Sequence, residues 1–262
     1  MTTKTNFVTT TDASPCILTN PGGTSPIVLV CEHASNHIPA EFGTLGLDEK
    51  ILASHIAWDP GAQSVAEKLS NILDAKLVQS TVSRLVYDCN RPPEAVDSIP
   101  AKSEIYEIPG NQNLDPAART HRVTSVYLPF QNLLTQTLAK VSEPIVVTIH
   151  SFTPIYFGQP RATEIGVLHD TDSRLANELL KLSANYLPGL VERNQPYGPA
   201  NGVTHTLKEH AIKEGRLNVM IEIRNDLIAT TSRQADMSQA IGKALTEALA
   251  NLGRPHPLKV SA

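Results

Sequence analysis

The sequence predicts an α/β protein: a single three-layer α/β/α domain around a mixed, mainly parallel sheet. Three apolar, mostly β-branched runs, at 27–31, 145–149 and 218–223, are nearly continuous rather than alternating, which is typical of strands buried on both faces. Amphipathic helical segments separate these runs, and strands that alternate with helices favour right-handed crossovers onto a parallel sheet. A chain of 262 residues with 41% hydrophobic residues can bury such a core.

The first half of the chain predicts an irregular start, a buried strand, a helix and two short strands. Residues 1–25 are rich in Thr, Ser, Asn, Pro and Gly, so we expect an irregular N-terminal arm, followed by one domain over 26–252. The helix begins near Pro60, a residue that suits a first helical turn. The predicted elements are strand 27–31, helix 60–75, strands 76–78 and 84–87, and a long loop 92–113.

The second half continues the alternation of strands and helices. Helical spacing of apolar residues predicts one long helix over 116–141, and a buried strand follows it directly. The remaining predicted elements are strands 145–149, 164–168 and 218–223, helices 175–187, 203–214 and 232–252, a loop 194–202, and a loose C-terminal tail 253–262.

Charge and composition exclude several classes of partner. The chain carries 22 Lys and Arg against 26 Asp and Glu, a net charge of −4, so no basic surplus exists to neutralise a nucleic-acid backbone. No apolar run approaches the roughly 20 residues of a membrane span, and the N-terminal residues lack the apolar centre of a signal peptide. Cys16, Cys31 and Cys89 are too scattered for a disulfide framework or a CxxC metal site. We therefore expect a cytoplasmic protein without nucleic-acid or membrane partners; nothing predicts its oligomeric state.

Polar side chains suited to catalysis or metal binding follow most of the predicted strands. In an open α/β sheet, ligands bind beyond the carboxyl ends of the strands. The residues at these ends are Glu32, His33, Asn36, His37, Asp88, Asn90, Arg91, His150, Ser151, His169 and Asp170. Glu222 lies inside the run 218–223, where a buried carboxylate costs several kcal/mol unless it is paired. One strand-end histidine is usually structural, but several convergent strand ends predict a functional site.

These residue types match a hydrolytic zinc centre. Two histidines from separate strand ends and one carboxylate form a three-ligand set that leaves a fourth position for water. A bound Zn²⁺ would lower the pKa of that water to about 7 and polarise a carbonyl, while a second carboxylate takes the proton. Glu222 suits the proton-accepting role. Arg91 suits the binding of a substrate carboxylate, because its guanidinium can form two parallel hydrogen bonds.

Four motifs together resemble a known family. The segments 27–33 (IVLVCEH), 88–91 (DCNR), 148–151 (TIHS) and 221–226 (IEIRND) resemble, in order and spacing, the N-formylglutamate amidohydrolase family over residues 26–249. The same segments are similar to the wider zinc carboxypeptidase group. The resemblance therefore implies a zinc-carboxypeptidase-like fold and a Zn²⁺ cofactor.

The resemblance also implies roles for five residues. His33 and His150 would be zinc ligands, Asn90 and Arg91 would bind the substrate, and Glu222 would be the general base.

The third zinc ligand departs from the carboxypeptidase pattern. That pattern places a glutamate three positions after the first histidine, whereas this chain has Asn36 there. We expect Asp59 to replace the glutamate, because it stands before the first helix after the strand. Glu32 is the second choice, and a helix N-cap is the alternative role for Asp59.

The function implied by the resemblance is metal-dependent hydrolysis of the amide bond of a small N-acyl amino acid. N-formyl-L-glutamate, giving formate and L-glutamate, is the expected substrate. One alternative is a carboxypeptidase or deacylase that acts on another small acyl-amino acid or peptide, because such a catalytic set fixes the reaction type and leaves the acyl group open. Another alternative is a non-catalytic protein that binds a metabolite on the same scaffold.

Overall fold

A computed structural model describes residues 14–256 and residue 258. The strands are β1 (Cys16–Thr19), β2 (Ile27–Cys31), β3 (Lys76–Ser80), β4 (Lys102–Ser103), β5 (Tyr106–Glu107), β6 (Ile145–Phe152), β7 (Ile155–Tyr156), β8 (Gln159–Pro160), β9 (Ile165–Leu168), β10 (Val191–Arg193) and β11 (Asn218–Arg224). The α-helices are α1 (Glu49–Leu52), α2 (Ala62–Leu73), α3 (Pro116–Arg122), α4 (Leu128–Leu138), α5 (Arg174–Tyr186), α6 (His205–His210) and α7 (Thr231–Asn251).

Within the described residues, seven strands form one sheet in the order β1-β3-β2-β6-β11-β9-β10. The neighbours are parallel except for two antiparallel pairs, β1 with β3 and β11 with β9. Two short hairpins, β4–β5 and β7–β8, lie outside this sheet. The predicted α/β class with a mixed, mainly parallel sheet is confirmed.

Helices and loops cover both faces of the sheet, and alternate residues of the central strands supply the two cores. On β2, Ile27, Leu29 and Cys31 pack in the core formed with α2, α5 and α7. Val28 and Val30 point the other way, into the core formed with α4 and the loops around it. Because both faces of the strand are buried, its sequence is continuously apolar rather than alternating.

The helix predicted over 116–141 is interrupted. A π-helical turn, Val123–Tyr127, joins α3 to α4. Pro129 stands in the first turn of α4 and has no N–H to donate to the preceding turn. Such π-helical turns occur as single-turn insertions inside α-helices.

Several other predicted segments also differ from the structure, and one is the loop 92–113, which contains the short hairpin β4–β5. Residues 84–87 are a turn, not a strand, because the Ser83 carbonyl and hydroxyl oxygens accept hydrogen bonds from the following backbone. Part of the predicted irregular arm is β1, a four-residue edge strand on β3. The described tail is not loose, since Arg254 donates to the Glu143 carbonyl and His256 bonds to the Leu73 carbonyl. Residues 1–13 of the predicted arm and residues 257 and 259–262 of the predicted tail lie outside the described part, and the 26–252 boundaries stay a prediction.

None of the helices in the described part of the chain has the length and apolar character to cross a membrane.

Candidate metal centre

Three buried side chains predicted as metal ligands meet at the carboxyl ends of two neighbouring parallel strands. His33 follows β2, His150 lies in β6, and Asp59 stands in the loop before α2. Asp59 Oδ2 lies 3.0 Å from Nδ1 of His150 and 3.4 Å from Nδ1 of His33. One potential ligand atom from each of the three residues lies within 4.8 Å of the others. Residues far apart in the sequence therefore form one compact donor set.

The loop that carries Asp59 is held in place by its backbone and by Ser151. The Asp59 N–H donates to the His33 carbonyl at 3.0 Å, and the Ser151 hydroxyl donates to the Pro60 carbonyl at 2.8 Å. Gly61, at φ +84°, then turns the chain into α2; a Cβ there would meet the Ile228 carbonyl oxygen at 2.8 Å. Gly61 is also the N-cap of α2, so Asp59 does not take the alternative N-cap role.

The Asp59 carboxylate is aimed at the histidines by two donors. The Arg84 guanidinium binds Oδ1 at 3.2 Å, and the Ser151 N–H donates to Oδ2 at 3.2 Å. Burial alone would raise the pKa of Asp59, but His33, His150 and Arg84 outweigh it and hold the pKa well below its usual range. Asp59 is therefore a carboxylate, the form that binds a metal.

Each histidine has a second carboxylate behind it. His33 Nε2 lies 2.7 Å from Asp88 Oδ1, and His150 Nε2 lies 3.1 Å from Glu32 Oε2, although the second pair is not aligned for a hydrogen bond. Carboxylates in this position orient a metal-binding imidazole and leave its other nitrogen free for the ion. Glu32, the second choice as ligand, thus lies behind His150 rather than in the donor set.

The electrostatics of the centre favour a cation. Four buried carboxyl groups surround two imidazoles and one guanidinium, that of Arg84: Glu32, Asp59, Asp88 and Glu222. Burial lowers the pKa of each imidazole, but the neighbouring carboxylates outweigh it, so the pKa values of both His33 and His150 are raised. The donor set offers two imidazole nitrogens and one carboxylate oxygen, and carboxyl groups outnumber the single guanidinium around it. This combination fits a divalent metal such as Zn²⁺.

Glu222, the residue predicted as the general base, is buried next to the donor set. It lies on β11 directly beside His150 on β6, and its side chain is 5% exposed. Oε2 has no hydrogen-bond partner within the described residues. Burial raises the pKa of Glu222 from 4.5 to about 7, which is the range where a carboxylate is effective as acid and base at neutral pH.

A cleft of about 330 Å³ opens onto these groups, a volume that suits a small molecule. The donor set and Glu222 lie on its wall together with Arg84, Arg91, His55, Tyr156 and Tyr197. The cleft is therefore polar and charged along most of its lining.

The two predicted substrate-binding residues bind the chain itself in this structure. Asn90 donates to the Val203 carbonyl at 2.6 Å and accepts from the Thr206 N–H at 3.0 Å. Arg91 Nε binds Asp97 at 2.7 Å, and its Nη atoms donate to the carbonyls of residues 90, 201 and 202. Asn90 thus fixes the loop before α6. Arg91 lines the cleft, and its Nη2 atom makes one long contact, 3.5 Å, with the Asn201 carbonyl oxygen.

Two cleft residues were missed or underweighted from the sequence. Arg84 bridges Asp59 and Asp88, with distances of 3.2 and 3.1 Å, and was part of a predicted strand. An Arg four residues before Asp88 was the available signal. Tyr197, in the predicted loop 194–202, also lines the cleft. Burial, followed by the charge of Glu222, raises the pKa of its phenol.

Comparisons with known proteins identify the family and the fold of this chain. The family model of N-formylglutamate amidohydrolase matches residues 25–229, well over half of the chain. A gene product from Agrobacterium tumefaciens of known crystal structure is 48% identical, with 95% of this chain and 100% of that chain covered and a TM-score of 0.91. The crystal structure of N-formylglutamate amidohydrolase from Ralstonia eutropha is 19% identical over 91% of this chain and 100% of that chain, with a TM-score of 0.62, which shows a shared fold. A search of curated proteins found no match. The chain belongs to the N-formylglutamate amidohydrolase family, a family of hydrolases.

Proposed function

We propose that this protein is a zinc-dependent amidohydrolase that cleaves N-formyl-L-glutamate to formate and L-glutamate. The observation that carries the proposal is the buried convergence of His33, Asp59 and His150 beside Glu222 in a small-molecule cleft. Membership of the family supports the substrate.

The three convergent residues would hold the metal through His33 Nδ1, His150 Nδ1 and the Asp59 carboxylate. A zinc ion bound there would make a water more acidic and would polarise the carbonyl of the scissile amide. Asp88 and Glu32 would hold the two imidazoles in orientation from the outer side.

Glu222 would move the proton in the reaction. Its carboxylate accepts a proton from the attacking water, whose oxygen bonds to the formyl carbon. Glu222 then gives that proton to the amide nitrogen as the C–N bond breaks, so that formate and the free amine leave. One water is consumed for each amide cleaved.

Two arginines would handle the negative charges of the reaction. Arg84 uses one donor on each Nη for Asp59 and Asp88, and its remaining donors are available to the oxyanion that forms on the carbonyl oxygen. Arg91 would bind a substrate carboxylate through Nη2, beside its contact with Asp97. Asn90 would support this grip by fixing the adjoining loop.

A deacylase or carboxypeptidase acting on a related small substrate is the nearest alternative, because the same groups would serve any amide. A panel of N-formyl, N-acetyl and dipeptide substrates separates these possibilities. A non-catalytic metabolite-binding protein would turn over none of them.

The test of the mechanism is Glu222→Gln, which keeps the size of the side chain and removes the base. We expect turnover of N-formyl-L-glutamate to fall about 100- to 10,000-fold while bound zinc is retained. His37→Ala, at an exposed histidine four residues after His33, is the control and should keep full activity. Unchanged turnover in Glu222→Gln would eliminate the assignment.

We also propose a cytoplasmic location. The three cysteines are free and buried, as expected of small core residues in a reducing compartment.

A further inference from the structure

The mouth of the cleft carries exposed apolar side chains on two hairpins. Ile105 lies in the turn of the β4–β5 hairpin and is 63% exposed, while Ile155 and Phe157 of the β7–β8 hairpin are 56% and 55% exposed. Their chain neighbours Glu104 and Tyr156 line the cleft. The exposed residues therefore stand at the edge of the catalytic cleft, and we refer to Ile105, Ile155 and Phe157 as the apolar rim.

Glu104 ties the two hairpins to each other and to the body of the protein. One carboxylate oxygen accepts a hydrogen bond from the Phe157 N–H at 2.7 Å, and the other lies 2.9 Å from His55 Nε2. The Glu104 side chain is 11% exposed and that of His55 is 28% exposed, so the His55 contact is partly buried, while the bond to the Phe157 N–H lies at the surface. Glu104 thus links the two hairpins that carry the apolar rim.

An aromatic series connects the rim to the cleft. The Phe157 ring packs edge-on against the Tyr156 ring, with centroids 4.6 Å apart. The Arg161 guanidinium stacks over the Tyr156 ring at 4.3 Å and over the Tyr197 ring at 4.8 Å. The aromatic rings therefore lie between the charged lining of the cleft and the apolar rim.

The size of the rim fits part of a small molecule rather than a protein. Three partly exposed side chains offer far less than the roughly 800 Å² per partner that a specific protein interface buries. A substrate with a polar end inside the cleft and an apolar end outside would cover the rim.

We propose that the rim binds an apolar acyl group, so that the enzyme accepts, besides N-formyl-L-glutamate, N-acyl amino acids whose acyl chain is larger than formyl and aliphatic or aromatic. The inference rests on the proposed function, in which Arg91 holds the carboxylate and the amide carbonyl lies at the donor set. The acyl group is then the end of the substrate that is left to extend toward the mouth. The rim thereby sets acyl specificity, and the groups deep in the cleft set the reaction.

Binding to a catalytically silent protein tests the proposal separately from turnover. The Glu222→Gln protein, supplied with zinc, is titrated by calorimetry with N-formyl-L-glutamate and with N-hexanoyl-L-glutamate. We expect the hexanoyl compound to bind about tenfold more tightly, because a rim covers only one side of the chain and gains less than full burial. Adding Phe157→Ser or Ile105→Ser should bring the ratio of the two Kd values close to one.

Leu190→Ser in the same background is the matched control, because Leu190 is also a half-exposed apolar residue, but neither it nor its chain neighbours line the cleft. It should leave the ratio unchanged. Equal binding of the two compounds, no binding of the hexanoyl compound, or a preference that survives Phe157→Ser and Ile105→Ser would overturn the proposal. Hydrolysis of N-formyl-L-glutamate by the wild type is measured independently, so the proposed function and the rim can fail separately.

Discussion

Replacing Glu222 by Gln should stabilise the metal-free protein at alkaline pH and not at acidic pH. Burial raises the pKa of Glu222 from 4.5 to about 7, so the folded protein holds this proton more tightly than the unfolded chain does. As pH rises from 4.5 to 7, the unfolded chain releases the proton while the folded protein keeps it. The free energy of unfolding therefore decreases over this window, and the loss is complete above pH 7.

The magnitude follows from the size of the pKa change. Each pKa unit corresponds to about 1.4 kcal/mol, so a rise from 4.5 to about 7 amounts to about 3 kcal/mol of destabilisation at pH 8. The Glu222 side chain is almost entirely buried, so solvent screening takes away little of this. Gln cannot ionise, so the variant escapes the loss.

Urea denaturation with a chelator present, at pH 4.5 and at pH 8, measures the effect. The stability difference between Glu222→Gln and wild type should increase by about 3 kcal/mol between these two pH values. Titrating groups that do not interact with Glu222 are common to both proteins and cancel in the difference. A stability difference that does not change with pH would refute the reasoning. A stability difference that decreases with pH would show that the pKa of Glu222 is lowered, not raised, in the folded protein.

Three further predictions concern the neighbours of the donor set. Asp88→Asn weakens the contact with His33 Nε2, so zinc affinity measured by chelator competition should fall about 10- to 100-fold; equal affinity would remove Asp88 from this role. Arg84→Gln removes the charged donors proposed for the oxyanion, so kcat for N-formyl-L-glutamate should fall about 100- to 1,000-fold with little change in KM, and a kcat within twofold of wild type would contradict this. Asp97→Asn frees Arg91 Nε from its ion pair, so KM should decrease while kcat is unchanged; an increased KM would show that Asp97 holds Arg91 in its binding orientation.

The fold was predictable where burial acts on both faces of a strand. The run 27–31 is apolar at each position because it contacts two cores, and this pattern survives in the sequence without any knowledge of its partners. β1 was not predictable on this basis, because a four-residue edge strand is specified by its pairing with β3 and not by its own pattern. Residues 84–87 are apolar enough to resemble a strand, but hydrogen bonds to Ser83 produce a turn.

The candidate site was predictable in its residue types and only partly in its contacts. The strand-end positions of His33 and His150, together with the family resemblance, place both at the same edge of the sheet. Arg84 was missed because its contact with Asp59 depends on the turn at 84–87. The bond from Asn90 to the Val203 carbonyl joins residues 113 positions apart, and no local pattern predicts a contact of that kind.

The most direct test of the central claim is the zinc content of the purified protein after equilibration with zinc and removal of the excess. The account predicts about one zinc ion per chain for the wild type and for the exposed-histidine control His37→Ala. It predicts a large loss of bound zinc in His150→Ala and in Asp59→Ala, each confirmed to be folded by circular dichroism. A wild-type chain that takes up no zinc, or folded His150→Ala and Asp59→Ala proteins that bind it as tightly as the control, would contradict the account.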